Sequence, residues 1–204
     1  MTVLSSKEIK EYLTRRPDED PLIIMPLIDP KKQCKTSAID LRLAFDFILT
    51  KRAELATLNF HDLKLKDKLG SFYERAYVGY GREFILHPGG LVLGSTLEYI
   101  RIPKDLIAYL VGRSTWGRLG LIIATATLLH PGFKGCPTLE LINQGNIPIP
   151  LYPGWCIAQL VFHKLEKPEV SSYVSKYSGW VGPTSPEFSM ICEESDMDWL
   201  IRQE

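Results

Sequence analysis

The sequence of 204 residues lacks several features that would direct its interpretation toward common classes of protein. Its formal net charge is zero, so no overall field favours nucleic acid or an anionic membrane as a partner. No apolar run reaches the roughly 18 residues that a membrane span requires, and the N-terminus has no apolar stretch behind a basic start. We therefore expect a cytoplasmic protein that binds neither nucleic acid nor membrane, in which any anion site is local.

Sequence signatures of metal and hydrolase chemistry are also missing. The four cysteines form no CxxC pair, which favours free thiols in a reducing compartment, and the four histidines form no HExxH motif. The zinc deaminase signature, HxE followed by PCxxC, does not occur, so any deamination would proceed without zinc. A GxSxG elbow, a P-loop and a dinucleotide-binding glycine fingerprint are absent as well.

Prolines divide most of the chain into segments too short for helices. The N-terminus differs, because Ser5 and Glu8 have capping-box spacing and predict a helix over about residues 6–15. Runs rich in branched and aromatic residues predict strands at 22–25, 38–43, 83–86, 106–111, 138–142 and 157–162. Many short strands between proline and glycine turns favour a mainly β barrel or jelly roll, as a single domain over 1–204.

Two segments carry no sustained pattern. Residues 51–82 mix charged and aromatic side chains, and we predict an irregular insertion there with a short helix near 52–55. The tail at 192–204 is acidic and ends in a small amphipathic stretch, for which a solvated terminus is the simplest interpretation. Neither segment indicates a function.

Glu140 is the candidate residue for proton transfer. On a strand, Thr138, Glu140 and Ile142 share one face, while Leu139 and Leu141 face the other. Apolar neighbours raise the pKa of a carboxyl group, which suits a residue that takes up and returns a proton near neutral pH. The structural alternative is that Glu140 pairs with an arginine at a sheet edge or a subunit contact.

A candidate anion site lies in the segment GRSTWGRLGL, which brings together Arg113, Ser114, Thr115, Gly117 and Arg118. Guanidinium groups, hydroxyls and the backbone N–H groups of a tight turn suit the oxygens of phosphate. Arginines beside a turn are commonly just solvated, so this segment alone leaves phosphate binding open. Near the C-terminus, SKYSGWVGPTS is a second cluster that could fold over a nucleotide or be an ordinary loop.

Taken together, these segments resemble the dCTP deaminase branch of the dUTPase superfamily over nearly the whole chain. The similar segments, in the family's order and spacing, are VLSSKEIKEYL, SAIDLRL, FILHPGGLVLGSTLEYIRIP, GRSTWGRLGL, HPGFKGCPTLELIN and YPGWCIAQLVF. The resemblance implies a homotrimer of distorted jelly-roll subunits of the β-clip type, with sites at subunit interfaces and a C-terminal lid and tail over about 171–204. It also implies that dCTP binds as a magnesium complex, through its phosphates.

The resemblance further implies roles for individual residues. Glu140 would accept a proton from a water held near Ser114 and pass it to the departing amine, with Arg118 beside the base. Backbone groups of Thr138 and Leu139 would meet the pyrimidine. The phosphates and the lid would involve a further set, namely Arg113, Thr115, Trp116 and Gly117, with Tyr173, Lys176 and Trp180 in the C-terminal segment.

Three departures from the family pattern bear on this expectation. His130 stands where the family usually has an aspartate that contacts the deoxyribose, and imidazole differs from carboxylate in charge and reach. The stretch ATATLL at 124–129 is more apolar than its counterpart, and Trp180 replaces a glutamine of the lid. These changes affect recognition of the sugar most directly, and they make diphosphatase chemistry less favoured.

The sequence therefore leaves three alternative functions. The first is deamination of dCTP to dUTP and ammonia, a hydrolase reaction of deoxynucleotide metabolism. The second is chemistry at the phosphates, as a dUTPase or a bifunctional dCTP deaminase and diphosphatase, and His130 weighs against it. The third is a nucleotide-binding homologue or regulatory subunit without turnover. Feedback by dTTP fits the family, but the sequence shows no separate site for it.

Overall fold

The structure, a computed structural model, describes residues 2–51, 72–125, 128–167 and 179–186. Its strands are β1 Thr2–Val3, β2 Ile23–Met25, β3 Ala38–Arg42, β4 Asp46–Thr50, β5 Tyr73–Tyr77, β6 Phe84–Leu86, β7 Leu91–Ser95, β8 Tyr99–Arg101, β9 Leu106–Gly112, β10 Leu121–Ile123, β11 Leu128–Leu129, β12 Lys134–Gly135, β13 Thr138–Asn143, β14 Ile149–Leu151 and β15 Cys156–Lys164. Its helices are α1 Ser6–Leu13, α2 Pro30–Gln33 and α3 Ser114–Arg118, with a 3-10 turn at Pro17–Glu19. The predicted N-terminal helix and the six predicted strands are present, each within two residues of its expected bounds.

The described strands pair antiparallel into two larger and two smaller sheets. In the first sheet, β15 pairs with β1 and β3 along one edge and with β9 along the other, and β9 pairs with β11. The second has the order β10-β13-β7-β4-β5. The third has the order β12-β8-β2, and the fourth pairs β14 with β6. The predicted mainly β fold with a short N-terminal helix is confirmed.

One apolar core joins the four sheets. Phe162 of the first sheet, Phe47 of the second, Ile100 of the third and Leu151 of the fourth are all buried in the same cluster. Removing a side chain of this size from water stabilises the fold by about 1.5–3 kcal/mol. The proline-limited strands are therefore held mainly by side chains that are far apart in the sequence.

Helix α1 begins with the predicted capping box. The Ser5 hydroxyl accepts from the Glu8 N–H at 3.4 Å, and the Glu8 carboxylate accepts from the Ser5 N–H at 2.8 Å. Ile9 and Tyr12 are buried, and the Tyr12 hydroxyl donates to Asp105 at 2.6 Å. The helix is thereby fixed to the start of β9. No helix in the described ranges is long and apolar enough to cross a membrane.

The segment predicted as an irregular insertion is partly regular. Within 51–82, residues Tyr73–Tyr77 form β5, which pairs with β4 at the edge of the second sheet. Glu74 and Arg75 are both exposed on this edge strand. The sequence therefore shows no alternation of apolar and polar residues there, and the strand was not predicted. The short helix expected near 52–55 and the tail at 192–204 lie outside the described residues.

Candidate functional site

Glu140 lies in a cavity of about 520 Å³ that we term the carboxylate cavity. As predicted, alternation along β13 buries Leu139 and Leu141 in the core and turns Thr138 and Glu140 to the opposite face. Besides Glu140, the residues that form this cavity include Leu91, Leu93, Leu128, His130, Phe133, Cys136, Thr138, Ile142, Trp180 and Thr184. The wall around the carboxyl group is therefore mostly apolar.

This environment affects the ionisation of Glu140. Burial raises the pKa of its carboxyl group above the ordinary value of 4.5. No arginine or lysine of the described ranges forms a salt bridge with it, so the structural alternative of an arginine pair is not observed there. A half-buried carboxyl group with a raised pKa is suited to accepting and returning a proton.

Hydrogen bonds fix the backbone of Glu140. Its N–H donates to the Thr125 hydroxyl at 2.9 Å, and its carbonyl accepts from the Ala124 N–H at 2.9 Å. The Thr125 hydroxyl also lies 3.3 Å from the Thr138 carbonyl, to which it donates. Thr125 was not identified from the sequence, because its segment was noted only for being apolar. The threonine itself, a hydroxyl in that apolar stretch, was the available signal.

The two residues expected to meet a pyrimidine differ in placement. Thr138 lines the carboxylate cavity. Leu139 has its side chain in the core, and its backbone is opposite Gly94 in the β13–β7 ladder. Because Glu140 bonds to Ala124 and Thr125 on one side of the strand, the backbone groups of Leu139 point to the other side, into that ladder. The structure does not present Leu139 to the cavity.

His130 is placed at the cavity by a tight turn. The Phe133 N–H donates to the His130 carbonyl at 3.1 Å, and Gly132 between them has φ +80°. Proline at the second position and a glycine with positive φ at the third are typical of a type II turn. The same turn carries Phe133 into the cavity wall, so an imidazole ring and a phenyl ring share this side of the cavity.

Residues 179–186, which we term the strap, form another part of the cavity wall through positions 180 and 184–186. The Cys136 N–H donates to the Trp180 carbonyl at 2.9 Å, and the Thr184 N–H donates to the Thr138 hydroxyl at 3.2 Å. A Cβ added at Gly135 would lie 3.0 Å from the Trp180 oxygen, so this close approach favours glycine. Trp180 lines the cavity, whereas Tyr173 and Lys176 lie outside the described residues.

The arginine segment forms a second, larger cavity of about 950 Å³, which we term the arginine cavity. Its residues include Arg113, Thr115, Trp116 and Arg118, facing Ile147, Pro148, Tyr152, Trp155 and Cys156. The rings of Tyr152 and Trp155 stack with centroids 4.6 Å apart, and the Trp116 indole N–H donates to the Cys156 carbonyl at 2.9 Å. The sequence does not predict this aromatic wall, although the segment YPGW belongs to the family pattern.

The local backbone of this segment differs from the expected tight turn. Residues Ser114–Arg118 form the one-turn helix α3, in which Ser114 and Gly117 are exposed. The close backbone approach comes later, at Gly120, where φ is +94° and an added Cβ would lie 2.6 Å from the Gly145 nitrogen. This contact joins the end of α3 to the loop after β13.

Within one chain, Glu140 and the two arginines do not share a cavity. Helix α3 is followed by β10, in which Leu121 is opposite Asn143 of β13 and Ile123 is opposite Leu141. Arg118 therefore lies beyond the Asn143 end of β13, and Glu140 lies toward its other end. The site predicted from the sequence is divided between two surfaces of the chain.

Cys34, Cys136 and Cys156 are free thiols, and burial raises the pKa of each. No three histidine, cysteine, aspartate or glutamate residues of the described ranges are grouped so that they could hold a metal ion. Cys192 lies outside those ranges.

Comparisons with known proteins place this arrangement in a family. A family model described as dCTP deaminase-like matches residues 3–165. A Dictyoglomus turgidum protein named "dCTP deaminase, dUMP-forming" is 40% identical over 200 residues, covering 95% of this chain and 99% of that protein. A Natronomonas pharaonis protein named "dCTP deaminase" is 42% identical over 186 residues, covering 89% and 92%.

Among solved structures, 2'-deoxycytidine 5'-triphosphate deaminase from Agrobacterium tumefaciens superimposes with a TM-score of 0.59 at 21% identity. The match covers 79% of this chain and 48% of that one, so the chain spans about half of that protein's length. At this identity the likeness supports the fold alone. The family model and the two relatives show that the chain belongs to the dCTP deaminase-like family.

Proposed function

We propose that the protein hydrolyses dCTP to dUTP and ammonia without zinc, with Glu140 as the group that moves the proton. The observation that carries the proposal is the half-buried Glu140 carboxyl group, whose pKa is raised and which has no cationic partner among the described residues. The names of the Dictyoglomus turgidum and Natronomonas pharaonis relatives support the choice of dCTP as the substrate.

The chemistry follows from what C4 of cytosine requires. The Glu140 carboxylate takes a proton from a water molecule, and the resulting hydroxide adds to C4. The protonated carboxyl group then gives its proton to the departing amine, which leaves as ammonia, and the proton of the new hydroxyl group moves to N3, so that C4 becomes a carbonyl carbon. A raised pKa assists both steps, because the carboxyl group has to hold the proton between them.

The arginine cavity supplies the complementary function, which is binding of the triphosphate. Arg113, Thr115 and Arg118 offer guanidinium and hydroxyl donors to phosphate oxygens, and Ser114 on the same helix would hold the attacking water. The described residues that line this cavity include no carboxylate. That composition fits magnesium bound to the nucleotide phosphates as part of the substrate, rather than to the protein.

A complete site then requires two copies of the chain. Because the carboxylate and arginine cavities lie on different surfaces of one chain, we propose that a homotrimer joins the carboxylate cavity of one subunit to the arginine cavity of its neighbour. Ile147 and Trp155, beside the arginines, are mostly exposed in the single chain. Large exposed apolar side chains around a cavity are typical of a protein contact surface.

A second candidate function is deamination coupled to diphosphate release, giving dUMP. It is favoured by the Dictyoglomus turgidum relative, whose name includes "dUMP-forming" and whose identity to this chain is close to that of the Natronomonas pharaonis protein. The position of His130 in the carboxylate cavity weighs against it, because imidazole replaces the carboxylate expected there. We retain dUTP as the proposed product.

One assay separates these functions. The pure protein is incubated with magnesium and either dCTP or dUTP, and ammonia, pyrophosphate and the nucleotide products are followed. Release of ammonia and dUTP from dCTP is the expected result. Pyrophosphate and dUMP would favour the second candidate, and binding of dCTP without turnover would contradict both and favour a regulatory homologue.

A further inference from the structure

Asp40 is a buried carboxylate that the proposed reaction does not use. Its side chain is only 4% exposed. The Gln159 amide donates to Asp40 Oδ1 at 2.7 Å, while Lys35 Nζ and Arg113 Nη1 lie 3.5 and 3.8 Å from Oδ2. Because an unpaired charge at such a position is costly, these partners account for its presence in the sheet.

The fold of the first sheet brings Asp40 and Arg113 together. On β15, Gln159 is opposite Asp40 of β3 on one side and opposite Val111 of β9 on the other. Strand β9 ends at Gly112, and the following Arg113 N–H donates to the Ile157 carbonyl at 3.3 Å. The backbone and the guanidinium of Arg113 are therefore both held by residues of this sheet.

The guanidinium of Arg113 also reaches the arginine cavity. Its side chain is one-third exposed, at 33%, and is part of the cavity wall. A guanidinium has five N–H donors in a fixed plane, so an ion pair on one edge leaves the other edge for phosphate oxygens. Arg118, on the same cavity, forms no salt bridge with any residue of the described ranges.

A second buried carboxylate, Glu98, serves as the comparison. Its oxygens accept from the Arg42 N–H at 2.8 Å, from Arg42 Nη1 at 2.9 Å and from the Gln33 amide at 3.1 Å. Neither Arg42 nor Gln33 lines the arginine or the carboxylate cavity. Glu98 thus stabilises the interior, whereas the charge of Asp40 is directed at a side chain on the cavity wall.

We propose that Asp40 is a positioning residue, which holds the Arg113 guanidinium at the wall of the arginine cavity in the orientation that meets the nucleotide phosphates. The inference rests on the proposed function of that cavity. Asp40 itself contacts no substrate, and its effect is expected in nucleotide affinity rather than in the chemical step.

The test is Asp40→Asn, which keeps the size of the side chain and the acceptor for Gln159 but removes the charge. We expect the KM for dCTP to rise about tenfold and kcat to change less than about threefold, because a charge-assisted contact is lost from binding and not from the reacting centre. In a Glu140→Gln background, which prevents turnover, the Kd for dCTP should rise similarly and the Kd for dCMP should not. In an Arg113→Gln background, Asp40→Asn should have no further effect.

The matched control is Glu98→Gln, which removes the other buried carboxylate charge. It should lower the melting temperature while leaving the KM within about twofold of the parent value. If Asp40→Asn does not fold, Gln159→Met is the second variant, with a smaller effect in the same direction.

Equal losses of affinity for dCTP and for dCMP would contradict the proposed role of Asp40, as would additive effects of Asp40→Asn and Arg113→Gln. Either result would leave the proposed function of the protein unaffected. If neither the parent nor the Glu140→Gln protein binds dCTP, the proposed function falls and this inference falls with it. Binding without turnover by the unsubstituted chain would contradict only the proposed function.

Discussion

The carboxylate cavity and the arginine cavity are built in opposite ways. Glu140 sits on a central strand whose backbone is bonded to Thr125 on one side and to β7 on the other, and the strap of the same chain forms part of the wall. Arg118 sits on a one-turn helix and is exposed, beside aromatic side chains that are themselves partly exposed. The wall of the first cavity consists mostly of buried or half-buried residues, and the wall of the second consists mostly of exposed ones.

This difference matches the physical needs of the two proposed tasks. A proton-transfer group needs a low-dielectric surrounding to raise its pKa, and one chain provides that for Glu140. Binding a triphosphate needs several donors that converge after the ligand arrives, and an open surface beside a second subunit allows that. On the proposed function, the proton-transfer group is thus the more buried one and the phosphate donors are the more exposed ones.

Glu140→Gln is the change with the largest expected effect on this division. The amide keeps the shape of the side chain but cannot accept and return the proton, so deamination should fall about 10³-fold or more. Affinity for dCTP should stay within about tenfold, because the donors of the arginine cavity are untouched. Steady-state release of ammonia and calorimetric binding measure the two quantities.

The control is Glu74→Gln, the same substitution on the edge strand β5, outside both cavities. It should leave both quantities unchanged. Activity of Glu140→Gln comparable to that of the parent protein would show that Glu140 is not the base.

Mixing subunits tests whether the two cavities act together across a contact. Glu140→Gln and Arg118→Ala proteins are each expected to be nearly inactive, and they are unfolded together in equal amounts and refolded. If each site takes one cavity from either of two neighbouring subunits, about a quarter of the sites combine two intact cavities, and about a quarter of the parent activity returns.

Each variant refolded alone is the control for this experiment. If the mixture stays as inactive as its components although it assembles, the site lies within one chain and the division described above is wrong.

The sequence predicts those features of the site that are set by neighbouring residues, and it does not predict those that are set by strand pairing. A two-residue alternation predicts which face of β13 carries Glu140, and the family resemblance predicts a lid that includes Trp180. Thr125 and Trp155 could not be found in that way, because their places depend on how β10 meets β13 and how the chain turns before β15. Strand β5 was missed because both faces of its charged centre are exposed.

The separation of Glu140 from Arg118 within one chain is the feature of the site that depends most on non-local structure. The two residues are 22 positions apart in the sequence, and the family resemblance leads us to expect them in one site at a subunit interface. The β10–β13 register sets them on different surfaces, and register is a property of strand pairing that no single segment encodes.

His130→Asp is expected to have a moderate effect that is confined to the carboxylate cavity. It restores the carboxylate that the family usually has at the turn before Phe133, and a carboxylate accepts hydrogen bonds at either oxygen. We expect the ratio of kcat/KM for dCTP over CTP to rise about tenfold. An unchanged ratio, measured with both nucleotides at the same magnesium concentration, would contradict a role of position 130 in sugar recognition.

The smallest expected effect concerns stability, and it tests the environment of Glu140 in the carboxylate cavity without any assay of activity. Burial raises the pKa of Glu140 above 4.5, so between 4.5 and the raised value the folded chain binds more protons than the unfolded chain. The free energy of unfolding contributed by this group is therefore greatest at low pH, and it falls as the pH rises through that interval. At pH 7 the charged carboxylate weakens the fold slightly.

Glu140→Gln removes this charge, so its melting temperature at pH 7 should exceed that of the parent by at most about 2 °C. The difference should disappear below pH 4.5, where the parent carboxyl group is protonated in both the folded and the unfolded state. A melting-temperature difference for Glu140→Gln that is the same at both pH values would mean that burial does not set the ionisation of this residue, and the contrast between the more buried carboxylate cavity and the more exposed arginine cavity would lose its physical basis.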